Sequence, residues 1–191
     1  MPSRLFSLIA LLCLSSALYA QSEAHARYQI SGGYDFLSNS FNGVPGSRQP
    51  LNGWDAAAAI PFWHGLRFKA DLSVYRGTNL GAKQDAFFIM AGWQYNWRFR
   101  RESLFVEGLA GTGGANQTWA ANGAQGQTAS FASLAGGGLD TPLTRRIALR
   151  LEGGYQYSYF VLEQHLTLIP YQIPGLPNNF GRISSGLVWH F

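Results

Sequence analysis

Apolar and polar side chains alternate with a period of two in eight separate stretches of this chain, spaced about 20 residues apart. Leu66, Phe68, Leu72 and Val74 alternate with Arg67, Lys69, Asp71 and Ser73, and Ile147, Leu149, Leu151, Tyr155, Tyr157 and Tyr159 alternate with Arg150, Glu152, Gln156 and Ser158. Successive strand residues point to opposite faces, so each stretch predicts a strand with one greasy row and one wet row. The strands predicted this way span 28–37, 51–62, 66–75, 85–99, 104–112, 127–139, 147–159 and 180–191. Four alanines, 56–59, weaken the alternation in the second. The sixth is small and glycine-rich, and its pattern does not fix which row faces which way.

The connections predicted between these strands alternate in length. Residues 38–50, 76–84, 113–126 and 160–179 read as long polar loops, and 63–65, 100–103 and 140–145 as short turns. An even number of strands returns both termini to the side of the short turns. Each predicted strand is near the roughly 9–11 residues that a tilted strand needs to cross a bilayer. After residue 20 no run approaches the roughly 20 apolar residues that a spanning helix needs, so strands closed into a barrel are the remaining way across.

Composition agrees. Charged residues are 13% of the chain and aromatics 15%, with 23 glycines, a profile for a protein whose outside is not wholly in water. Arg4 followed by the apolar run 5–14 and the small residues up to Ala20 reads as a secretory leader. Residues 1–20 are therefore assigned to a signal peptide and 21–191 to one barrel domain, with Ala26 as a second candidate cleavage position. Cys13, the only cysteine, falls in the leader, so disulfides and cysteine chemistry are excluded from the mature chain. The net charge of +4 comes from scattered residues with short clusters at Arg98, Arg100, Arg101 and at Arg145, Arg146. No nucleic-acid-binding motif accompanies them, which removes nucleic acid as a partner.

A soluble barrel or sandwich would alternate too, with its apolar row inside. The leader, the sparse charge and the aromatic strand ends favour the membrane instead. Trp93, Tyr95, Trp97, Phe99, Trp189 and Phe191 would form a girdle at one interface, and Tyr34, Phe36, Tyr155, Tyr157 and Tyr159 one at the other. The last twelve residues, 180–191, place Ile183, Leu187, Trp189 and Phe191 on one row and end the chain on Phe. They resemble the C-terminal signature strand of bacterial outer-membrane barrels, with Ser185 departing from the pattern. Residues 27–191 as a whole resemble the small eight-stranded outer-membrane barrels, like the transmembrane domain of the OmpA family.

The resemblance implies an all-β, antiparallel, up-and-down transmembrane barrel in the outer membrane of a diderm bacterium, its termini periplasmic. It also implies a monomer in contact with outer-membrane lipid and lipopolysaccharide. Ile183, Leu187, Trp189 and Phe191 would be read by the barrel-assembly machinery.

With the polar rows inside, Arg67, Lys69, Arg98, Arg150 and Arg182 face Asp35, Asp55, Asp71, Glu107 and Glu152 in the lumen. Isolated buried charges cost several kcal/mol each, so these must pair. Arg98 and Glu107, on consecutive strands, are the first expected pair. Outer-membrane lipid A deacylases, which resemble this chain in strand count, carry a His-x-Ser pair. His165-Leu166-Thr167 has Thr in that place, so no catalytic residue is assigned. Four widely separated histidines offer no metal-ligand spacing, and neither metal nor cofactor is expected. Asn42, Arg48, Asn116, Trp119, Asn122, Tyr171 and Phe180 are the loop residues best placed for a surface partner, which the sequence does not identify. The expected function is a non-catalytic barrel with a charge-plugged lumen, acting structurally or through its outer loops. The alternative is a narrow passive channel using the same charges.

Overall fold

The computed structural model describes residues 28–38, 50–79, 82–99, 101–119, 125–164 and 171–191. They form a closed antiparallel barrel of β1 (Gln29–Leu37), β2 (Leu51–Trp63), β3 (Leu66–Asn79), β4 (Ala82–Phe99), β5 (Glu102–Trp119), β6 (Gln125–Pro142), β7 (Ile147–Gln164) and β8 (Tyr171–His190). Each strand pairs with its chain neighbours, and β1 closes on β8. Residues 28 and 191 and the turn residues 64–65, 101 and 143–146 lie at one end, the terminal end; the opposite ends of the strands mark the loop end.

The stagger follows from the pairings. Asp35 is opposite Gly53, which leads through Tyr75 and Ala86 to Ala115 of β5. The other way round, Asp35 is opposite Ser184, which leads through Glu152 and Gly138 to Phe105. The two paths meet β5 ten residues apart, and such a stagger in an eight-stranded barrel tilts the strands by about 40°.

The wall sorts the two rows as a membrane barrel requires. Leu149 and Leu151 are 38% and 51% exposed on the outside, whereas Arg150 and Glu152 between them are 4% and 5% exposed on the inside. Tyr34, Trp54, Phe68, Leu72, Trp93, Ile183, Leu187 and Trp189 continue the outer apolar surface. No described helix is long and apolar enough to cross a membrane. Leu151→Arg is expected to lower the stability of the lipid-inserted barrel by about 2–4 kcal/mol, the range for a cation near the bilayer midplane. Urea titration of the barrel in lipid vesicles reads this, and an unchanged midpoint would contradict the outward facing.

Several boundaries differ from the sequence expectation. The ladder runs on to Asn79 in β3, Trp119 in β5 and Gln164 in β7, and begins at Tyr171 in β8, through segments that read as loops. Only 80–81 separate β3 from β4, so the long–short alternation of connections does not hold. The physical reason is that Asn, Gln, Gly and Thr mark turns only by correlation. Beyond the apolar band both faces of a hairpin meet water, and polar residues keep the pairing. The strands β4 to β8 have 18–20 residues each, well past the length needed to cross. The facing of β6 is now fixed: Ser130, Ala132, Leu134 and Asp140 point inward and Phe131 outward.

The β2–β3 turn has positive φ at both central residues, 34° at His64 and 86° at Gly65, the geometry that suits a two-residue hairpin.

Candidate functional site

The inward rows fill the lumen in two layers, and the order of residues within each strand separates them. Toward the terminal end stand Lys69 and Asp71 of β3, Glu107 of β5, Arg150 and Glu152 of β7 and Arg182 of β8. Nearer the loop end on β1, β3, β4 and β8 come Leu37, Tyr75, Phe88 and Phe180, with Leu51 of β2 among them. The first layer is ionic. The second is a buried apolar cluster that also takes in Met90, Leu109 and Leu134.

The ionic layer has three centres. Lys69 donates from Nζ to Glu107 Oε2 at 2.8 Å and to Glu152 Oε2 at 3.1 Å, with Asp71 Oδ2 at 3.9 Å. Arg182 donates from Nε to Asp35 Oδ2 at 2.6 Å, from Nη1 to Asp71 Oδ1 at 3.0 Å and from Nη2 to Asp71 Oδ2 at 3.3 Å. Asp55 Oδ2 stands 3.9 Å from Arg182 Nη2. Arg150 grips Asp140 with a bidentate fork, Nε to Oδ1 at 2.7 Å and Nη2 to Oδ2 at 2.8 Å. Its guanidinium also lies 4.4 Å from the centre of the Phe105 ring. Tyr75 ties the layers together, its hydroxyl donating to Asp35 Oδ2 at 2.7 Å.

Of the ten residues expected in the lumen, Asp35, Asp55, Lys69, Asp71, Glu107, Arg150, Glu152 and Arg182 are buried there and Arg67 is half-buried. Arg98 is not among them: it is exposed, and the expected Arg98–Glu107 pair is absent. Arg98 keeps the inward row but sits one residue before the end of β4, opposite Ser103, where that row opens into water; Gln94 is the residue opposite Glu107. Alternation gives the side a residue faces and is silent on its depth. Asp140 was missed for the converse reason. Asp and Pro142 read as a turn, yet β6 extends to Pro142 and sets Asp140 directly opposite Arg150.

The described lumen therefore holds six carboxylates against four cations, so the near balance of charge expected from the sequence gives way to an acidic excess.

The apolar layer was also unforeseen. Residues 86–90 are all apolar, so alternation cannot separate the inward Phe88 and Met90 from the outward Phe87 and Ile89. Glycines make room for the rings: a Cβ at Gly113 would collide with Phe88, and one at Gly138 with Phe105. Phe180, expected at the surface for a partner, is 0% exposed in this layer, because β8 begins well before it. Asn116 is exposed within β5, and Trp119 and Tyr171 belong to β5 and β8 rather than to loops. Asn42, Arg48, Asn122 and His165 lie outside the described residues, as does the whole of 1–27.

On the outer surface Trp93, Phe99, Trp189 and Phe191 are exposed and Tyr95 and Trp97 half-buried toward the terminal end. Trp93 meets Phe62 and Phe68 edge to face at 5.3 and 5.5 Å, and Trp189 stacks on Phe191 at 5.9 Å. Toward the loop end Tyr34, Tyr155 and Tyr159 are exposed, with Phe36 and Tyr157 half-buried. Ile183 and Leu187 continue the outer row of β8, and the Phe191 amide donates to the Tyr28 carbonyl at 3.0 Å across the closing seam. Among the described residues no group of three or more His, Cys, Asp or Glu side chains could hold a metal ion.

No protein-family model matches the chain, and no curated protein matches it. Its neighbours among solved structures include small eight-stranded outer-membrane barrels. Neisserial surface protein A is 16% identical, with a TM-score of 0.58, over 86% of this chain and 96% of that one. The attachment invasion locus protein Ail of Yersinia pestis is 15% identical, with a TM-score of 0.54, over 87% and 99%. The N-terminal β-barrel domain of Pseudomonas aeruginosa OprF is 13% identical, with a TM-score of 0.52, over 86% and 97%. At such identities the likeness is one of fold.

Proposed function

We propose that this chain is an integral outer-membrane barrel of a diderm bacterium, with its termini in the periplasm, that is closed to solutes and acts without catalysis through its loop end. One observation carries the reading: an apolar, aromatic-rimmed outer wall encloses a lumen of buried ion pairs. A soluble barrel of this size would reverse those two surfaces. The apolar cluster favours closure over conduction, because an ion leaving the charged layer would meet Phe88, Phe180, Leu37 and Leu51 before reaching the loop end. Outer-membrane lipid and lipopolysaccharide are its surroundings in this reading, and it acts as a monomer. Ile183, Leu187, Trp189 and Phe191 serve as the signal for the barrel-assembly machinery. The fold it shares with Ail, by its name an attachment protein, supports contact with a partner at the cell surface. Thr167, where the lipid A deacylases carry Ser, argues against that one activity.

The second reading is a narrow passive path. It is favoured by Gln94 and Gln156, whose buried side-chain amides have no protein partner among the described residues and so would ordinarily be met by water. Planar-bilayer recording separates the two. The closed barrel is expected to give no steady single-channel current. Steady steps whose size changes in Arg150→Ala or Glu152→Ala would establish the channel instead.

A further inference from the structure

A groove of about 620 Å³ crosses the outer wall of β5 to β8. Gly137 and Gly153 leave its floor low, Leu104, Leu151 and Ile183 form its sides, and Trp97 stands toward the terminal end. It is open to whatever surrounds the barrel, and its lining is mostly apolar, with Glu152 and Ser184 the polar residues that border it. Directly below it the β4–β5 and β6–β7 connections flank the β5–β6 pair, whose last rung is Ser103 opposite Asp140. Those two connections carry the exposed Arg101, Arg145 and Arg146, with Glu102 as the exposed acid beside them. Among the described residues at the loop end, Arg76 is paired with Asp85 at 2.7 Å and Lys83 is exposed.

We propose that this groove and the arginine rim below it form a site for an anionic phospholipid in the leaflet at the terminal end. An acyl chain lies over Gly153 and the phosphate sits between Arg101 and Arg146. The inference rests on the membrane reading above. An apolar channel that faces lipid and leads to a cluster of guanidinium groups matches a molecule with a hydrocarbon chain and an anionic head. Arginine is suited to the head because its planar fork meets two phosphate oxygens at once, and basic residues beside a membrane surface attract anionic lipid. A second copy of the barrel fits less well. A two-fold contact over the same groove would bring the two rims together, and like charges repel.

The test uses the full mature chain, folded into nanodiscs, with retained lipid counted by native mass spectrometry after transfer to detergent. Phosphatidylglycerol is expected to be retained over phosphatidylethanolamine by about tenfold, and Arg101→Ala with Arg146→Ala to abolish that preference. Gly153→Leu is expected to reduce retention of both lipids. It fills the groove without strain, since a Cβ there meets only the Arg182 carbonyl at 4.0 Å. Gly108→Leu, outside the groove and with nothing within 4 Å of its Cβ, is expected to leave retention unchanged. An undiminished preference in the double arginine variant overturns the site. So does displacement of the lipid by inorganic phosphate, or a dimer in the parent that Gly153→Leu dissolves. Failure of the parent chain to become protease-resistant in vesicles would remove the membrane reading itself. Insertion without headgroup preference removes this inference alone.

Discussion

Arg182→Met is expected to destabilise the folded barrel by about 3–5 kcal/mol, the cost of leaving buried charges without their partner. Arg182 is itself buried, and its fork holds Asp35 and Asp71 while Asp55 stands within 4.0 Å. Methionine keeps most of the volume but gives three carboxylates no cation at that point. Tyr75 would still donate to Asp35, which limits the loss without cancelling it. Urea titration in lipid vesicles measures the effect, with Arg76→Ala as the contrast. The Arg76–Asp85 pair is just as short at 2.7 Å, but its side chains are 85% and 52% exposed. Solvent screens such a pair, so its removal is expected to cost about 1 kcal/mol or less. Equal costs for the two variants would mean that burial does not govern the lumen pairs, and the two-layer description would fail with them. Arg182→Lys is expected to fall between, because a single ammonium cannot reproduce a fork that reaches two carboxylates.

How far the sequence could be read depended on what each position reports. Period-two alternation reports the side of the wall, and there it served well: the outward Leu149 and Leu151 and the inward Arg150 and Glu152 lie as their rows require. It carries no information about height along the barrel axis. Arg98 at the rim and Glu107 in the middle share the inner side but not the depth, and Phe88 and Phe180 share a level that no local pattern connects. That level is set by the ten-residue stagger, which depends on all eight pairings at once. Strand ends were the other weak point. Polar residues past the bilayer suit a loop and a water-washed hairpin equally, so β3, β5, β7 and β8 proved longer than their alternation suggested. Asp140 reads as a turn residue for the same reason, yet it lies within β6 opposite Arg150. With it inside and Arg98 outside, the balanced charge becomes an acidic excess among the described lumen residues.

That acidity sets the outcome of the companion experiment at Lys69. Lys69→Met is expected to cost about 3–5 kcal/mol, since it leaves the buried Glu107 and Glu152 facing each other with no cation between them. The loss belongs to the stranded carboxylates rather than to the pairs themselves, because a buried ion pair contributes little over a neutral replacement of the same shape. Adding Glu107→Gln and Glu152→Gln to Lys69→Met is therefore expected to restore most of the stability, even though the triple variant has no ion pair at this centre. In the parent, Glu107→Gln alone is expected to be nearly neutral, because Lys69 retains Glu152 at 3.1 Å and one of six lumen carboxylates has gone. A triple variant as unstable as Lys69→Met would show that the ion pairs themselves stabilise the barrel, and that the acidic excess has no part in it.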